Sequence, residues 1–321
     1  MNISQIIKHT FQNSTRKKIN NSLKKLIYNG EETKINFIDV GAAGEVNERW
    51  RYLSKNINYF GFEPDERSRL LLKNDYNFNF YKIFPDGLWN ISGKFKINLT
   101  NKPEVSSLYK PNYKLLNLFP LKERFLIDKT LNINCVSLDS LKLENLDFIK
   151  IDIQGGELKV LEGASQSLKK CLGLELEVEF LELYKNQPLF GDVVRFLQEK
   201  NIEFIDFTTI NRWGRKKYDG MGQLTFGDAL FLRTPEYIIE NFKNDNVIKL
   251  KYLGICLIYN RFDLIDKLIE ISENDFKFLT NSFLISLESL KRKNNNLRRM
   301  NFLFTKFMAL FFPNFKSHPL Y

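Results

Sequence analysis

An α/β protein built on a mostly parallel sheet is expected from this chain, and three observations lead to that class. Short β-branched and aromatic runs recur at Ile35 to Val40, Ile57 to Phe62, Phe78 to Ile83, Phe148 to Ile153, Leu172 to Phe180, Glu203 to Phe207 and Ala229 to Arg233. Most of these runs are separated by helix-sized stretches, which is what parallel strands need for their crossover connections. The chain has 321 residues, 43% of them hydrophobic and 27% charged. That is enough to bury a core and to build one large domain with additions, or two domains.

Taken in order, residues 1–34 read as a basic, weakly amphipathic helical arm, with Ile3, Ile6, Ile7 and Phe11 and then Leu23, Leu26 and Ile27 near helical spacing. Asn29-Gly30 closes it. Residues 35–235 carry the alternating strands and helices. Within them, Thr100 to Thr130 fits neither period, and Pro103, Pro111 and Pro120 mark it as an insertion above the sheet. Beyond Thr234-Pro235 the pattern is helical, in Tyr237 to Phe242, Phe262 to Ile271 and Asp275 to Leu290, so residues 236–321 form a helical extension. Its end, Lys291 to Tyr321, holds seven basic residues and no acidic one, interleaved with phenylalanines. Such a tail packs on the domain, or makes a peripheral contact with a membrane or protein.

Composition excludes several functions. Cys135, Cys171 and Cys256 form no CxxC spacing and His9 and His318 lie near the termini, so no zinc framework is expected. A histidine-dependent triad inside the core is excluded on the same ground. The net charge of +10 favours anionic partners without specifying nucleic acid. Nucleic acid is not expected, since the positive charge gathers at the ends. No uncharged apolar run approaches about 18 residues and the first 29 have no apolar signal region, so a cytoplasmic protein is expected, at most peripheral at the inner membrane face.

Three segments carry chemistry. Phe37 to Gly44 (FIDVGAAG) is a strand running into a turn whose small residues, Gly41 and Gly44, let backbone approach a nucleotide-like ligand. Tyr59 to Asp65 (YFGFEPD) ends the next strand in Glu63, and a carboxylate there matches the two hydroxyls of a ribose. Nicotinamide and adenosyl-sulfonium cofactors both satisfy this pair. In the third segment, Asp147 to Ala164, a buried strand delivers Asp152 at its carboxyl end, Gly155 and Gly156 turn the chain, and a helix begins at Glu157. Ligands of open α/β sheets bind outside the carboxyl ends of the strands, so Asp152 is aimed at the reaction site.

With these motifs the chain resembles the FkbM family of S-adenosylmethionine-dependent methyltransferases. The resemblance runs from about Ile35 to Arg233, through DVGAAG, FEPD, SLDSL (Ser137 to Leu141), DFIKIDIQGGELKVLEGA, LEVEFLELYKNQPLF (Leu176 to Phe190) and DALFLR (Asp228 to Arg233). It implies a Rossmann-like class I methyltransferase fold, a seven-stranded mostly parallel sheet with an antiparallel last strand. It further implies that Asp39, Gly41 and Gly44 hold the methionine part of the cofactor, Glu63 the ribose, and Asp86, Gly87 and Leu88 the adenine. Many relatives have a glycine-asparagine turn where this chain has Ala42-Ala43, and a glutamate where it has Gln154.

A sulfonium methyl needs an acceptor held in line, and an alcohol acceptor must lose a proton to a base, here a carboxylate whose pKa burial raises. Without a core histidine the candidate bases are Asp152 first, then Glu177 and Glu157, the last of which also suits the dipole of its own helix. Ser107 and Tyr109 in the insertion, and Tyr184, are candidates for holding the acceptor. No metal is expected, because methyl transfer does not require one. The expected activity is O-methylation of a hydroxyl on a sugar, glycan or secondary metabolite. Two other classes are compatible with the same residues: a non-catalytic binding or scaffold protein on this fold, and a nicotinamide oxidoreductase, which the absent third glycine disfavours.

Overall fold

A computed structural model describes residues 33–272, apart from residues 45, 75, 144 and 216–219 and the side chain of Tyr52, together with scattered residues between 285 and 299. The expected amino-terminal arm, except Thr33 and Lys34, lies outside these residues, as does most of the basic aromatic tail.

Seven strands form the main sheet: β1 (Ile35–Val40), β2 (Ile57–Phe62), β3 (Phe80–Phe84), β7 (Phe148–Ile151), β8 (Gly173–Glu179), β9 (Glu203–Trp213) and β10 (Gln223–Leu232). Their spatial order is β3-β2-β1-β7-β8-β10-β9. The pairs from β3 to β8 are parallel, whereas β10 runs antiparallel to both β8 and β9. The seven expected strands are all present, and the last is the inserted antiparallel one. One face carries Ile38, Val40, Ile149, Ile151, Leu174, Leu176 and Val178, packed in a buried core with residues of helices α1 (Glu157–Glu162) and α2 (Phe190–Gln198). The other face stacks Phe37, Phe148, Trp50 and Tyr259 low on the strands, with ring centroids 4.5 to 6.0 Å apart.

Three further strands make a small sheet that the strand pattern of the sequence does not announce: β4 (Gly87–Leu88), β5 (Gly93–Thr100) and β6 (Ile127–Val136), in the order β4-β6-β5. The irregular segment expected at 100–130 is largely the connection between β5 and β6. It docks by backbone bonds from Asn112 to Leu183 (2.8 Å) and from Lys185 to Lys110 (2.8 Å). Val105, Leu116, Phe125, Leu183 and Tyr184 bury one another there.

The boundary expected near residue 235 is displaced. Helices α3 (Pro235–Asn241) and α4 (Asn246–Ile258) belong to the same compact unit as the sheet, Thr33–Tyr259. The reason is burial: Tyr252, Leu253, Ile255 and Cys256 are fully enclosed. Tyr252 donates to the Arg233 carbonyl (2.7 Å), and Lys251 Nζ donates to both oxygens of buried Asp147 (3.0 and 2.8 Å). At Asn260 the chain passes out of this unit into a second one. Its described part contains α5 (Phe262–Ile271) and Lys291, which pairs with Asp266 and with Glu288.

Candidate active site

The carboxyl ends of β1, β2 and β7, together with β4, surround an open cleft. Gly41, Glu63, Gly87, Leu88, Ser107, Asp152 and Gln154 all line it, and Ile97, Leu108, Ile133 and Cys135 supply an apolar wall.

Gly41 is where the first turn meets β7. Its φ is +75°, and a Cβ there would lie 1.9 Å from the carbonyl oxygen of Asp152. Only glycine allows both the left-handed conformation and the approach. Gly41 and Ala42 donate to the Phe62 carbonyl (2.9 and 3.1 Å), and Asp152 N donates to the Val40 carbonyl (2.9 Å). Three strand ends are thereby locked around one opening.

Glu63 is buried at that opening and accepts from the Asp65 amide through Oε1 (2.7 Å). Burial pushes its pKa up to about 7; the charges of Asp65 and Asp39 add to the shift, while the Asp65 amide and Arg69 oppose it. Asp39 does not line the cleft. Its carboxylate accepts from Tyr59 Oη (2.8 Å) and lies 3.4 Å from Lys150 Nζ, so it supports the floor. Gly44 lines a neighbouring cleft with Arg51 and Tyr76. Asp86 stands beside Gly87 and Leu88 without lining the cavity.

Asp152 is partly open, with 35% of its side chain exposed. Its second oxygen lies 3.8 Å from Lys150 Nζ, and its first accepts from Gln154 Nε2 (3.1 Å). Burial opposes ionisation, but Lys150 and the hydrogen bonds prevail, and the carboxyl is held below its ordinary value. The expectation of a base raised by burial is therefore corrected at Asp152. The other two candidate bases are the raised ones: Glu177 is driven well above the ordinary range by burial and by the Asp152 charge, and burial, with the same charge, pushes Glu157 up to about 7. Gln154 Nε2 also donates to Glu177 Oε2 (2.8 Å).

Glu157 stands in the first turn of α1, the helix position that its sequence reading also allows. Its Oε1 accepts from the backbone of Ile153 (3.0 Å) and Gly155 (3.2 Å), tying down the turn that precedes its own helix. It is buried and outside the cleft lining. Ser107 Oγ donates to the Gln154 carbonyl (2.7 Å) and accepts from Tyr109 N (3.0 Å), joining the insertion to the Asp152 turn. Tyr109 itself is half-buried with its ring 5.8 Å from Trp89. Tyr184 is fully buried behind the cleft, where Oη lies 2.8 Å from Gln154 Oε1 and 3.0 Å from the Val105 carbonyl. It does not line the cleft and so cannot be a direct acceptor contact.

Sequence reasoning missed the roles of Lys150 and Gln154. Lys150 stands in register with Asp39 on one side and Glu175 on the other, a cation between carboxylates on adjacent strands. The available signal was a lysine two residues before the strand-end acid in an otherwise apolar strand.

A parallel sheet that receives its last strand antiparallel, with a glycine turn and two acidic strand ends on one cleft, defines a class I methyltransferase fold. A profile of the methyltransferase FkbM domain matches residues 39–204, more than half of the chain. The chain belongs to the FkbM methyltransferase family. Among solved structures it is similar to the methyltransferase FkbM from Methylobacillus flagellatus, at 14% identity and a TM-score of 0.35 over 61% of this chain and 44% of that protein's length. It is also similar to the magnesium protoporphyrin IX methyltransferase from Synechocystis with bound S-adenosylmethionine, at 10% identity, 73% and 85% coverage and a TM-score of 0.32. A precorrin-6y C5,15-methyltransferase from Geobacter metallireducens is similar at 13% identity, 66% and 86% coverage and a TM-score of 0.31. No curated protein matches the sequence. Among the described residues no helix is long and apolar enough to cross a membrane.

Proposed function

We propose that the chain transfers the methyl group of S-adenosylmethionine to a hydroxyl oxygen on a small molecule, a sugar, a glycan or a secondary metabolite, with Asp152 accepting the hydroxyl proton. The observation that carries this reading is the placement of Gly41, Glu63 and Asp152 on one cleft with an apolar wall. The residues fit the cofactor. Ionised Glu63 offers a second oxygen to a vicinal diol, and Gly41 leaves room where any side chain would collide. Gly87, Leu88, Ile133 and Cys135 line the cleft and offer a purine apolar contact.

S-adenosylmethionine supplies an electrophilic sulfonium methyl, and the protein's task is alignment and proton removal. Asp152 remains ionised because Lys150 stands beside it. A low pKa does not disqualify it. As the new O–C bond forms, the acceptor hydroxyl becomes strongly acidic, and even a weak carboxylate base then takes its proton. Lys150 and Gln154 keep that carboxylate charged and in place. The inserted segment, through Pro103, Ser106 and Leu108, supplies part of the cleft wall.

The test is transfer of a labelled methyl group from S-adenosylmethionine to a panel of sugar and secondary-metabolite alcohols. Asp152→Asn is expected to lower turnover by about 10²–10⁴, the usual contribution of a positioned base, with cofactor affinity within a few-fold of the parent. Equal turnover in the variant, or transfer to nitrogen or carbon acceptors only, contradicts the reading.

A further inference from the structure

This inference rests on the reading of Asp152 as the proton acceptor. We propose that Gln154 is a positioning residue: anchored by Ser107 and oriented by Tyr184, its amide clamps Asp152 to Glu177 and keeps the Asp152 carboxylate turned toward the cleft.

The backbone points to this role first. Gln154 has φ +63° and Gly155 φ +97°, two successive left-handed residues at the carboxyl end of β7. A non-glycine residue persists there only when its surroundings determine it. Here the Gln154 carbonyl is held by Ser107 Oγ at 2.7 Å, and the following turn by Glu157.

The side chain points the same way. A glutamine amide has two N–H donors and one carbonyl acceptor. Both donors are spent on carboxyls, Asp152 at 3.1 Å and Glu177 at 2.8 Å, and the carbonyl accepts from Tyr184 Oη at 2.8 Å. The reversed amide would set its oxygen against the ionised Asp152 carboxylate, which has no proton to give, and would leave the single Tyr184 proton only the Val105 carbonyl as acceptor; Asp152 and Tyr184 together therefore favour the observed orientation.

Charge explains why the residue is neutral. The groups facing Asp152 are Lys150 on β7, Glu177 and Glu179 on β8, Glu157 on α1, Asp228 on β10 and Tyr184. Four of these six are carboxyls and one is a cation. A neutral double donor at 154 binds two carboxyls without adding to their repulsion. Hydrogen bonds to the charged form lower a carboxyl's pKa, so removing them raises it.

Infrared pH titration of the full-length protein without ligand tests the proposal. The Asp152 and Glu177 signals are identified by their loss in Asp152→Asn and Glu177→Gln. Gln154→Leu is expected to move the Asp152 midpoint upward by about one pH unit, a tenfold gain in proton affinity. Tyr184→Phe should move it the same way by less. Gln154→Glu should add a carboxylic acid signal at neutral pH, and should return the Asp152 midpoint toward the parent only where the introduced carboxyl is protonated. A purely packing role for Gln154 would lower Tm in these variants and leave the Asp152 midpoint in place. That result overturns the proposal, and Tyr184→Phe decides between the two roles should Gln154→Leu not fold. Asp152→Asn with undiminished methyl transfer instead overturns the reading of Asp152 as base, whatever the titration shows.

Discussion

At the scale of single residues, the site separates two carboxylates by environment. Glu63 is buried with acidic neighbours and rises to about 7, whereas Asp152 has Lys150 beside it and stays ionised. The sign of a pH effect follows. On the proposed ribose role the charged form of Glu63 is the binding form, so affinity for S-adenosylhomocysteine should be complete above pH 7 and weaken below it, by up to about tenfold per pH unit. Calorimetric titrations from pH 5.5 to 8.5 check this, and Glu63→Gln should flatten the dependence while weakening binding overall. Gly41, Glu63 and Asp152 were legible in the sequence because each ends a hydrophobic strand, a position that fixes where a side chain goes. Gln154 was not. Its partners Glu177 and Tyr184 lie 23 and 30 positions away, and the Asp39 partner of Lys150 lies 111 positions away, so their roles depend on the finished sheet.

At the scale of elements, the turn after β1 and the end of β7 act as one piece. Gly41→Ala should separate them, because its Cβ meets the Asp152 carbonyl and its left-handed backbone becomes costly by about 1–2 kcal/mol. The expected outcome is at least a tenfold loss of S-adenosylhomocysteine affinity, measured by calorimetry on folded protein. Helix α4 contributes stability rather than chemistry. Lys251→Met would leave Asp147 buried without its cation, and chemical denaturation should show a loss of about 3–5 kcal/mol. A second substitution, Asp147→Asn, should recover part of that loss. The main sheet was legible because its strands are short, apolar and bounded. Strands β5 and β6 are harder to see, although Phe95, Ile97 and Leu99, and Leu131, Ile133 and Cys135, alternate with period two. Their polar partners are mostly exposed, which gives both segments the composition of a loop. Helix α4 escapes a periodicity argument because it is buried on nearly every side and has no amphipathic stripe to read.

At the scale of the molecule, a methyltransferase sheet carries a small β-sheet and a docked insertion that together wall one side of the cleft. The sheet sets where Gly41, Glu63 and Asp152 lie, and the insertion lines the cleft beside them, which is why family membership was readable from strand-end motifs while the acceptor was not. Lipid or protein contact through the basic aromatic tail is a proposal that stands apart from the site. Everything proposed for the cleft depends on acidic strand ends around Gly41 holding an adenosyl cofactor. The decisive experiment is calorimetric titration of the full-length protein with S-adenosylhomocysteine at pH 8, beside its Glu63→Ala variant. Saturable one-to-one binding that the substitution weakens at least tenfold is expected; a flat trace with folded parent protein, or equal affinity in the variant, would refute the cofactor site.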